Sequence, residues 1–581
     1  MSSSTRRLVF AAALMTVAGV VPFWLVFGPR ARTVAPARPV AAGVARAGPL
    51  RFRDVTERSG VTFAYRNGEE AGLRVILESL GGGAGLLDLD GDGRLDLFLV
   101  AGGGLVPDGK GPAIEGKPDR FFHNEGGWRF RDATEDVGLR PTGRYGHGCA
   151  AGDIDNDGDP DLVVTGYGGV TLYRNEAGRR LVDVTREAGL DQAGGWCTSA
   201  AWADFDNDGL LDLYVVRYVD WSPANNPPCR YRYSGELDLC APSVFQGQPD
   251  LLYHNEGDGR FTEVGERSGI QPDGKGLGVV ASDLDGDRDT DIYVANDTSG
   301  NQLYRNRGDG TFDEIGAQSG AGFSAEGVAT GSMGADAADA DGDGDLDLWV
   351  SNYDGETNEL YRNDGGMTFT PVGMSVGLGA PSRPFVGWGT GLLDFDNDGR
   401  ADVFVANGHL MHHLPGVTLP QPPLLFRQED GRFLPAGPGA GEYFAGTHPA
   451  RGCAFGDLDG DGDVDVVVVH QNRNVVLLRN DSAPAGHALR LRLEGQASNR
   501  TAVGAVVDAV VGGRTLTRAV RGGGSYLSQS DYGLIIGLGT ATAADRVEVR
   551  WPSGRVDRHD RLPSGRDWWL REGKEPIAAG R

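Results

Sequence analysis

The sequence predicts an all-β protein, a seven-bladed β-propeller followed by a small β-sandwich. Three observations lead to this prediction: an aspartate-rich string of nine residues occurs seven times, a second string follows each copy, and short strand-like segments lie between them. Glycine makes up 92 of the 581 residues, which indicates many turns and argues against long helices. A chain of this length is too long for one compact core, so we expect a large body and a smaller domain.

The amino-terminal segment predicts export. Basic residues precede an apolar run over residues 8–27, which is long enough to cross the ~30 Å hydrocarbon core of a bilayer as a helix. Residues 1–27 are therefore expected to be either a cleaved signal peptide or a signal anchor. A linker rich in Pro, Ala and Arg follows at 28–50. The expected location is the periplasm, the cell surface or the exterior.

The seven copies of the aspartate string are called Asp loops 1 to 7. Each offers four carboxylates within nine residues, at positions 1, 3, 5 and 9. The candidate metal ligands are Asp88, Asp90, Asp92 and Asp96 in loop 1; Asp153, Asp155, Asp157 and Asp161 in loop 2; Asp204, Asp206, Asp208 and Asp212 in loop 3; Asp283, Asp285, Asp287 and Asp291 in loop 4; Asp339, Asp341, Asp343 and Asp347 in loop 5; Asp394, Asp396, Asp398 and Asp402 in loop 6; and Asp457, Asp459, Asp461 and Asp465 in loop 7.

This donor set predicts calcium. Oxygen-only ligands suit a hard cation, and Ca²⁺ takes about six to eight of them in flexible geometry. Position 6 is glycine in six loops and Arg288 in loop 4. An EF-hand is excluded, because position 12, where that motif needs Glu, is Leu or Val in all seven loops. We predict up to seven bound Ca²⁺ ions that stabilise the propeller and do not act as catalysts.

The order of the strings predicts a closed ring. A string such as Leu303–Asn306 follows each loop, and a phenylalanine strand such as Phe312–Ile315 follows that string. The first phenylalanine strand, at 52–56, precedes every loop, and none follows loop 7. The amino-terminal strand is therefore expected to complete the last blade of a propeller spanning 51–482. Small residues before each loop suit crowded inner strands, which places each loop between strands 1 and 2 of its blade.

The net charge limits the classes of partner. It is −26 overall and is concentrated in the part of the chain that carries the Asp loops. Because this part of the chain is strongly acidic, it should repel the phosphate backbone of nucleic acids. Nucleic acid is therefore not an expected partner, and metal cations are the expected counter-charge. The sequence contains no HExxH, P-loop or paired-cysteine zinc pattern, and we expect no enzymatic activity.

The carboxyl-terminal segment, 483–575, predicts the β-sandwich. Its short strand-like segments are joined by turns at Gly512-Gly513 and Pro552–Gly554, and they end at Trp568-Trp569. A tryptophan pair can bind sugar, but capping an apolar core is its commoner use. Residues 576–581 are assigned as a tail.

These strings resemble a known family. The Asp loops and Leu-Tyr-Arg-Asn strands are similar to FG-GAP/VCBS repeats, the integrin-α type of propeller. The carboxyl-terminal segment resembles the ASPIC/UnbV domain at Ser498–Arg500, Gly524–Gln529, Gly537–Gly539 and Val549–Gly554. It departs from that pattern at Val506, where the family usually has Arg, and at Ile536, where it has Phe. The whole resembles the cartilage acidic protein family, including its bacterial members, which implies an extracytoplasmic calcium-binding protein with an adhesive or scaffolding role.

Three insertions predict a ligand-binding face. Blades 1, 3 and 6 have long connections between strands 2 and 3, on the face opposite the Asp loops. The insertion in blade 3 is rich in aromatic residues, and the ligand-face candidates are Tyr218, Trp221, Tyr231, Tyr233 and Phe245. Packing of this insertion onto the propeller rim is an equal alternative.

The cysteines fit an exported protein. Cys229 and Cys240 lie in the blade 3 insertion and are a candidate disulfide that would close a short loop. Cys149, Cys197 and Cys453 precede loops 2, 3 and 7 and are expected to be small buried residues.

The sequence leaves three functional hypotheses. The first is an adhesion, scaffolding or ligand-binding module for an unknown protein or glycan. The second is a glycan-binding lectin that uses the inserted face, and the third is a polysaccharide lyase or hydrolase, because a propeller does not determine function. The sequence also predicts that calcium removal destabilises the propeller much more than the carboxyl-terminal domain, because only the propeller carries Asp loops.

Overall fold

The computed structural model describes residues 50–107, 112–231, 234–413, 418–482 and 486–579. The expected signal segment, nearly all of the expected linker, and Tyr233 lie outside these ranges. In the described ranges, no helix is long and apolar enough to cross a membrane. The all-β prediction is confirmed, because the helices are single turns, at Thr56–Ser59, Gly316–Ser319, Gly373–Val376, Gly379–Ser382 and Glu442–Ala445, with 3₁₀ turns at Glu69–Ala71, Ile76–Ser79, Leu190–Gln192, Pro242–Val244 and Gly437–Ala440.

Repeated segments of the described chain form antiparallel sheets built on four strands, numbered blades 1 to 7 by their Asp loops. The sheet of blade 4 has two more short strands, because Gly522–Gly523 pairs with its strand 1 and Thr330–Gly331 with its strand 2. Each Asp loop joins strand 1 to strand 2, as predicted. Strands 1 to 4 of each blade are, in this order, Ala84–Leu87, Asp96–Leu99, Arg120–Asn124 and Phe130–Asp132 in blade 1; Tyr145–Gly152, Asp161–Tyr167, Gly169–Asn175 and Leu181–Asp183 in blade 2; Cys197–Ala203, Asp212–Arg217, Leu251–Asn255 and Phe261–Glu263 in blade 3; Gly276–Ser282, Asp291–Ser299, Gln302–Asn306 and Phe312–Glu314 in blade 4; Ala335–Ala338, Asp347–Val350, Glu359–Asn363 and Phe369–Pro371 in blade 5; Gly387–Leu393, Asp402–Asn407, Leu424–Glu429 and Arg432–Pro435 in blade 6; and Ala450–Gly456, Asp465–His470, Val476–Asn480 and Phe52–Asp54 in blade 7.

The blades form a closed ring. Strand 1 of each blade contacts strand 1 of the next, and strand 1 of blade 7 contacts strand 1 of blade 1. The amino-terminal strand Phe52–Asp54 pairs with Val476–Asn480 as the outermost strand of blade 7. The ring of Phe52 also packs edge-on against Phe395 of Asp loop 6, with centroids 5.4 Å apart. The predicted closure by the amino-terminal strand is confirmed, and it leaves the array without an open edge at this junction.

The asparagine that ends strand 3 joins each blade to the one before it. In blade 4, the side-chain amide of Asn306 donates to the carbonyl oxygen of Thr290 in its own blade and to that of Phe205 in Asp loop 3, at 2.9 and 2.8 Å. Gln428 takes this place in blade 6. The acceptors in the preceding loop, for blades 1 to 7, are Leu458, Leu89, Ile154, Phe205, Leu284, Ala340 and Phe395. Because buried amides require partners, these side chains hold neighbouring blades in register.

The carboxyl-terminal domain consists of two four-stranded sheets that share an apolar core. One has the order Leu534–Gly537, Ala488–Glu494, Asp567–Arg571, Ile577–Ala579, and the other Arg514–Ala519, Val506–Val511, Ala543–Arg550, Val556–Pro563. The assignment of 576–581 as a tail is wrong for Ile577–Ala579. These residues pair with Asp567–Trp569 and so extend the first sheet.

The three insertions connect strands 2 and 3, as predicted. Blade 1 inserts a hairpin, Gly103–Pro107 paired with Pro112–Gly116. The insertions of blades 3 and 6 occupy 218–250 and 408–423. Because strands alternate in direction, these connections and the Asp loops lie at opposite ends of the blades. The two faces of the propeller are called the insertion face and the Asp-loop face.

Candidate metal centres

The aspartate at position 9 anchors each Asp loop to its blade. Asp161, for example, accepts the backbone N–H of Ile154 at position 2 and that of Asn175 at the end of strand 3, at 2.9 and 2.8 Å. All seven loops repeat this pair of hydrogen bonds, and the position 9 residues are at most 3 % exposed. One carboxylate thus sets the distance between the loop and strand 3.

The aspartate at position 1 closes the loop on itself. Asp153 accepts the backbone N–H of Gly158 at position 6, at 2.8 Å. Arg288 replaces that glycine in loop 4, and it still donates its N–H to Asp283 at 3.0 Å with φ of +84°. The loop therefore forms without glycine, at the cost of a left-handed backbone that non-glycine residues rarely adopt.

Carboxylate oxygens converge inside the loops. In loops 2, 4 and 5, the ligand atoms of positions 1, 3 and 9 lie within 4.8 Å of one another. In loops 1 and 3 the convergent group is positions 3 and 5 together with a histidine from strand 3. A convergent set of carboxylates is the arrangement that a divalent cation requires.

Some loop oxygens lack a hydrogen-bond donor. Buried Oδ1 atoms of Asp88, Asp206, Asp396 and Asp459 have no hydrogen-bond partner in the described part of the chain. A buried carboxylate oxygen left without a donor is costly, and a bound cation would satisfy it. The oxygen-only sets of loops 2, 4 and 5 fit Ca²⁺.

Burial makes negative charge unfavourable in these loops. It raises the pKa of Asp161 and Asp347 to about 8 and that of Asp153 and Asp204 to about 7. Neighbouring carboxylates of the same loop raise these pKa values further, whereas backbone N–H donors lower them. A divalent cation would remove the cost of holding several carboxylates together.

Loop 6 has arginine partners as well. Arg427 Nε donates to Asp396 Oδ2 at 2.7 Å, and Arg400 Nη2 donates to Asp398 Oδ2 at 3.0 Å. Asp396 and Asp398 are buried, and Asp396 Oδ1 keeps no donor in the described chain. The guanidinium groups of Arg427 and Arg400 therefore offset part of the negative charge of this loop, and Asp396 Oδ1 is left for a metal.

The carboxyl-terminal domain covers the Asp-loop face. Four of its arginines face the position 1 aspartates of loops 1, 2, 6 and 7, with N to O distances of 3.3–3.9 Å: Arg492 with Asp88, Arg500 with Asp153, Arg518 with Asp394, and Arg490 with Asp457. Thr501 also accepts the N–H of Asp153 at 3.2 Å. The loops are therefore the surface on which this domain rests.

A loop of the carboxyl-terminal domain enters the axis of the propeller. Residues 524–529 bond to strand 1 of every blade. In blade order, the contacts are Gln529 N to Ala84 O, Cys149 N to Leu527 O, Leu527 N to Ser199 Oγ, Gly524 N to Val279 O, Ala335 N to Ser525 O, Thr390 N to Ser525 Oγ, and Ser525 Oγ to Cys453 O, at 2.7–3.3 Å. We call residues 524–529 the axial loop.

Glycines on the inner strands or next to them make room for the axial loop. A Cβ on Gly83 would lie 2.1 Å from the carbonyl oxygen of Leu527, and one on Gly148 would lie 2.8 Å from the same atom. Crowding between inner strands is one reason for the small residues before the Asp loops. The structure adds a second reason, because the axial loop occupies the space that side chains would fill.

The ligand-face candidates of blade 3 are largely packed inside the protein. Tyr218, Trp221 and Phe245 are only 1–3 % exposed. The ring of Trp221 packs edge-on against Tyr167, with centroids 5.4 Å apart. For these three residues the prediction of a ligand contact is wrong, because rings packed into the core cannot reach a ligand. Tyr231 is partly exposed.

The insertions of blades 3 and 6 meet over the axis. The buried carboxylate of Asp238 in blade 3 accepts the backbone N–H groups of His412 and His413 in blade 6, at 3.3 and 3.1 Å. Cys229 and Cys240 form a disulfide in the same insertion. The disulfide and the hydrogen bonds of Asp238 both restrain the same part of the blade 3 insertion.

Sequence reasoning missed three features of the site. The asparagine of the second string was visible as a repeat, but its partner lies in the preceding blade. The axial loop was visible as a family motif, and the arginines of the carboxyl-terminal domain as positive charge. None of these signals identifies a partner, because each partner is distant in sequence.

Two family models match the chain. The model described as FG-GAP-like repeat matches residues 88–164, 153–215, 235–294, 283–350, 339–405 and 394–468. The model described as ASPIC and UnbV matches residues 495–577. Together they match 88–215, 235–468 and 495–577, which hold most of the blades and most of the carboxyl-terminal domain.

Curated relatives extend over most of the chain. Cartilage acidic protein 1 of Xenopus tropicalis is 24 % identical over 491 residues, 73 % of this chain and 72 % of the relative. Cartilage acidic protein 1 of Homo sapiens is 24 % identical over 493 residues, 72 % of this chain and 71 % of the relative.

Among solved structures, similar chains include the BP39L lectin of Burkholderia pseudomallei, with a TM-score of 0.40, 13 % identity, and coverage of 70 % of this chain and 98 % of that chain. YCF48 bound to D1 peptide has a TM-score of 0.38, 9 % identity, and coverage of 75 % of this chain and 96 % of that chain.

Proposed function

The chain belongs to the FG-GAP-like repeat family, and we propose that it is a calcium-binding module. In this proposal it acts outside the cytoplasm in adhesion, scaffolding or ligand binding, and it is not an enzyme. The observation that carries the proposal is the convergence of carboxylate oxygens at positions 1, 3 and 9, as in Asp339, Asp341 and Asp347. Oxygen-only ligands at this spacing favour Ca²⁺ over softer metals.

Calcium would have a structural role in this proposal. An ion in loop 5 would connect the end of strand 1 to Asp347 at the start of strand 2. Asp347 also accepts the backbone N–H of Asn363, at 2.8 Å, and Asn363 contacts the preceding blade through Leu284. Each ion would therefore stabilise its own blade and the junction with its neighbour.

The insertion face is the proposed site for a partner. The carboxyl-terminal domain covers the opposite face, so the insertion face is the accessible end of the ring. Among the residues that the structure describes, the exposed large apolar side chains in the connections of this face are Val106, Val244, Phe323, Val328 and Met374, each 36–56 % exposed. Phe323 and Val328 lie in one connection, where the N–H of Ser324 donates to the carbonyl oxygen of Val328 at 3.0 Å. This exposed apolar pair is the proposed contact for a protein or glycan, in place of the buried aromatic candidates.

The proposed location is the periplasm, the cell surface or the exterior. The apolar segment 8–27 supports export as a signal peptide or a signal anchor. The disulfide between Cys229 and Cys240 supports the same conclusion, because disulfides persist in oxidising compartments.

The calcium proposal is tested by thermal unfolding of the full chain in calcium and in chelator. Each site with a hundredfold excess of Ca²⁺ over its dissociation constant should add about 2.7 kcal/mol to the free energy of unfolding. Asp343→Asn with Asp347→Asn should reduce the calcium effect, and Asp136→Asn, an exposed change outside the loops, should not. An unchanged melting temperature in chelator would contradict the proposal.

The binding face is tested with paired variants. Phe323→Ser with Val328→Ser should lower binding to an array of purified envelope glycans and proteins. Leu434→Ser is the matched control, because Leu434 is as exposed but lies on an outer strand of blade 6. Equal loss of binding in both variants, or in neither, would argue against the insertion face. Release of product from a polysaccharide would overturn the non-enzymatic proposal.

A further inference from the structure

Two blades differ from the others at the third residue of the second string. That residue is arginine in blades 2, 4, 5, 6 and 7, and histidine in blades 1 and 3. His254 Nδ1 in blade 3 lies 3.2 Å from Asp206 Oδ2 and 3.2 Å from Asp212 Oδ1. His123 Nδ1 in blade 1 lies 3.7 Å from Asp90 Oδ2 and 3.1 Å from Asp96 Oδ1. Both imidazole rings therefore face the inside of an Asp loop.

Most of the arginines at this position pair with acids outside the loops. The pairs are Arg174 with Glu176, Arg305 with Asp313, Arg362 with Asp364, and Arg479 with Asp481, at 2.5–3.3 Å. Arg427 in blade 6 is the exception, since it contacts Asp396. A histidine that faces the loop carboxylates is thus a particular feature of loops 1 and 3, and it adds a nitrogen ligand to an oxygen set.

Loop 3 has two further features of a metal site. The ligand atoms of Asp206, Asp208 and His254 lie within 4.8 Å of one another, and the buried Oδ1 of Asp206 has no hydrogen-bond partner in the described chain. A cavity of about 280 Å³, lined in part by Asp206, His254 and Thr311 of the next blade, borders this group. Such a cavity has room for the water ligands that complete a coordination shell.

Loop 1 repeats this arrangement. The ligand atoms of Asp90, Asp92 and His123 also lie within 4.8 Å of one another, and the buried Oδ1 of Asp88 has no partner in the described chain. Asp92 here pairs with Arg94, which has no counterpart in loop 3, where Leu210 takes that position. The negative charge of the carboxylates is therefore less neutralised by protein cations in loop 3 than in loop 1.

We propose that Asp loop 3, through Asp206, Asp208 and His254, holds a divalent transition-metal ion in preference to calcium, and that loop 1 holds a second one through Asp90, Asp92 and His123. The inference rests on the proposed role of the Asp loops as metal sites. Ca²⁺ is a hard ion that selects oxygen, whereas Zn²⁺ and Mn²⁺ accept imidazole nitrogen together with carboxylate oxygen. The five loops without histidine would keep calcium.

The experiment uses Mn²⁺ as the probe on the full chain in excess Ca²⁺. Electron spin echo spectroscopy detects coupling between bound Mn²⁺ and the ¹⁴N of a coordinating imidazole. The expected result is about two bound Mn²⁺ ions per chain with ¹⁴N coupling, which falls to about one in His254→Arg and to none in His123→Arg/His254→Arg. Arginine is the residue of the other blades, and His254→Gln offers a second variant without a positive charge.

A gain-of-site variant sharpens the result. Arg362→His should introduce a third nitrogen-coupled ion, because it places an imidazole beside loop 5. Absence of ¹⁴N coupling in the wild-type chain, or coupling that persists in the double variant, would overturn the inference. Calcium binding to the remaining loops, measured by equilibrium dialysis of the same samples, separates this failure from failure of the proposed function, in which no loop would bind calcium.

Discussion

The backbone N–H of Gln529 in the carboxyl-terminal domain donates to the carbonyl oxygen of Ala84 in blade 1, at 2.8 Å. The carbonyl oxygen of Gln529 in turn accepts the N–H of Leu86, at 2.9 Å. A residue near the end of the chain thus pairs with the first inner strand. Because the carboxyl-terminal domain rests on the Asp loops and reaches the axis, we now expect calcium removal to destabilise both domains and not mainly the propeller.

The axial loop should make the two domains unfold together. The fully buried Tyr526 packs edge-on against Trp388, with centroids 5.0 Å apart. Tyr526→Ala should lower the free energy of unfolding by about 3–5 kcal/mol, as expected for a large buried side chain. Calorimetry should give one transition in both proteins. Trp569→Ala, at an exposed position in the same domain, is the control. Two separate transitions in the wild-type chain would contradict this prediction.

The asparagine bonds between blades should contribute strongly to stability. Asn363 donates to Leu284 in the preceding blade and to Leu346 in its own blade, at 2.8 and 3.1 Å. Asn363→Ala leaves both buried carbonyl oxygens without this donor, so it should cost about 2–4 kcal/mol in urea unfolding. Arg362→Ala, at the neighbouring and partly exposed position, should change stability by less than about 0.5 kcal/mol. Equal effects would argue against the role of the asparagine.

The metal-free protein should lose stability as pH rises. Burial raises the pKa of Asp161 and Asp347 from 3.8 to about 8, so the folded state binds more protons than the unfolded state between these values. The free energy of unfolding should therefore fall between about pH 4 and pH 8 in chelator. Calcium should flatten this dependence, because the cation stabilises the charged carboxylates. Chemical denaturation at several pH values measures it, and equal slopes with and without calcium would contradict it.

Trp221→Ala should act on stability and not on ligand binding alone. Trp221 packs against Trp196 as well as Tyr167, with centroids 5.9 and 5.4 Å apart. Its truncation should lower the free energy of unfolding by about 3–5 kcal/mol or release the blade 3 insertion to proteolysis. Loss of partner binding with unchanged unfolding and proteolysis would restore Trp221 as a ligand contact.

Contacts that are short in sequence can be predicted from the chain alone, and contacts between distant residues cannot. Asp loop 5 was recognised because all its ligand residues lie within nine positions, and the strand at Phe52 because it repeats the pattern of later strands. The partners of Ser525 lie on separate blades, and such long-range contacts leave no periodic signal. Trp221 was misassigned because an aromatic residue in an insertion has the same appearance in sequence whether it packs or binds a ligand.

Calcium bound in the Asp loops can be located directly by diffraction. A crystal of the full chain grown in calcium, with anomalous diffraction recorded at a long X-ray wavelength, locates Ca²⁺ directly. We expect anomalous peaks within the loops that lack histidine, for example between Asp339, Asp341 and Asp347, at about 2.3–2.6 Å from the carboxylate oxygens. Loops without peaks in a crystal soaked at saturating calcium would contradict calcium binding by the Asp loops.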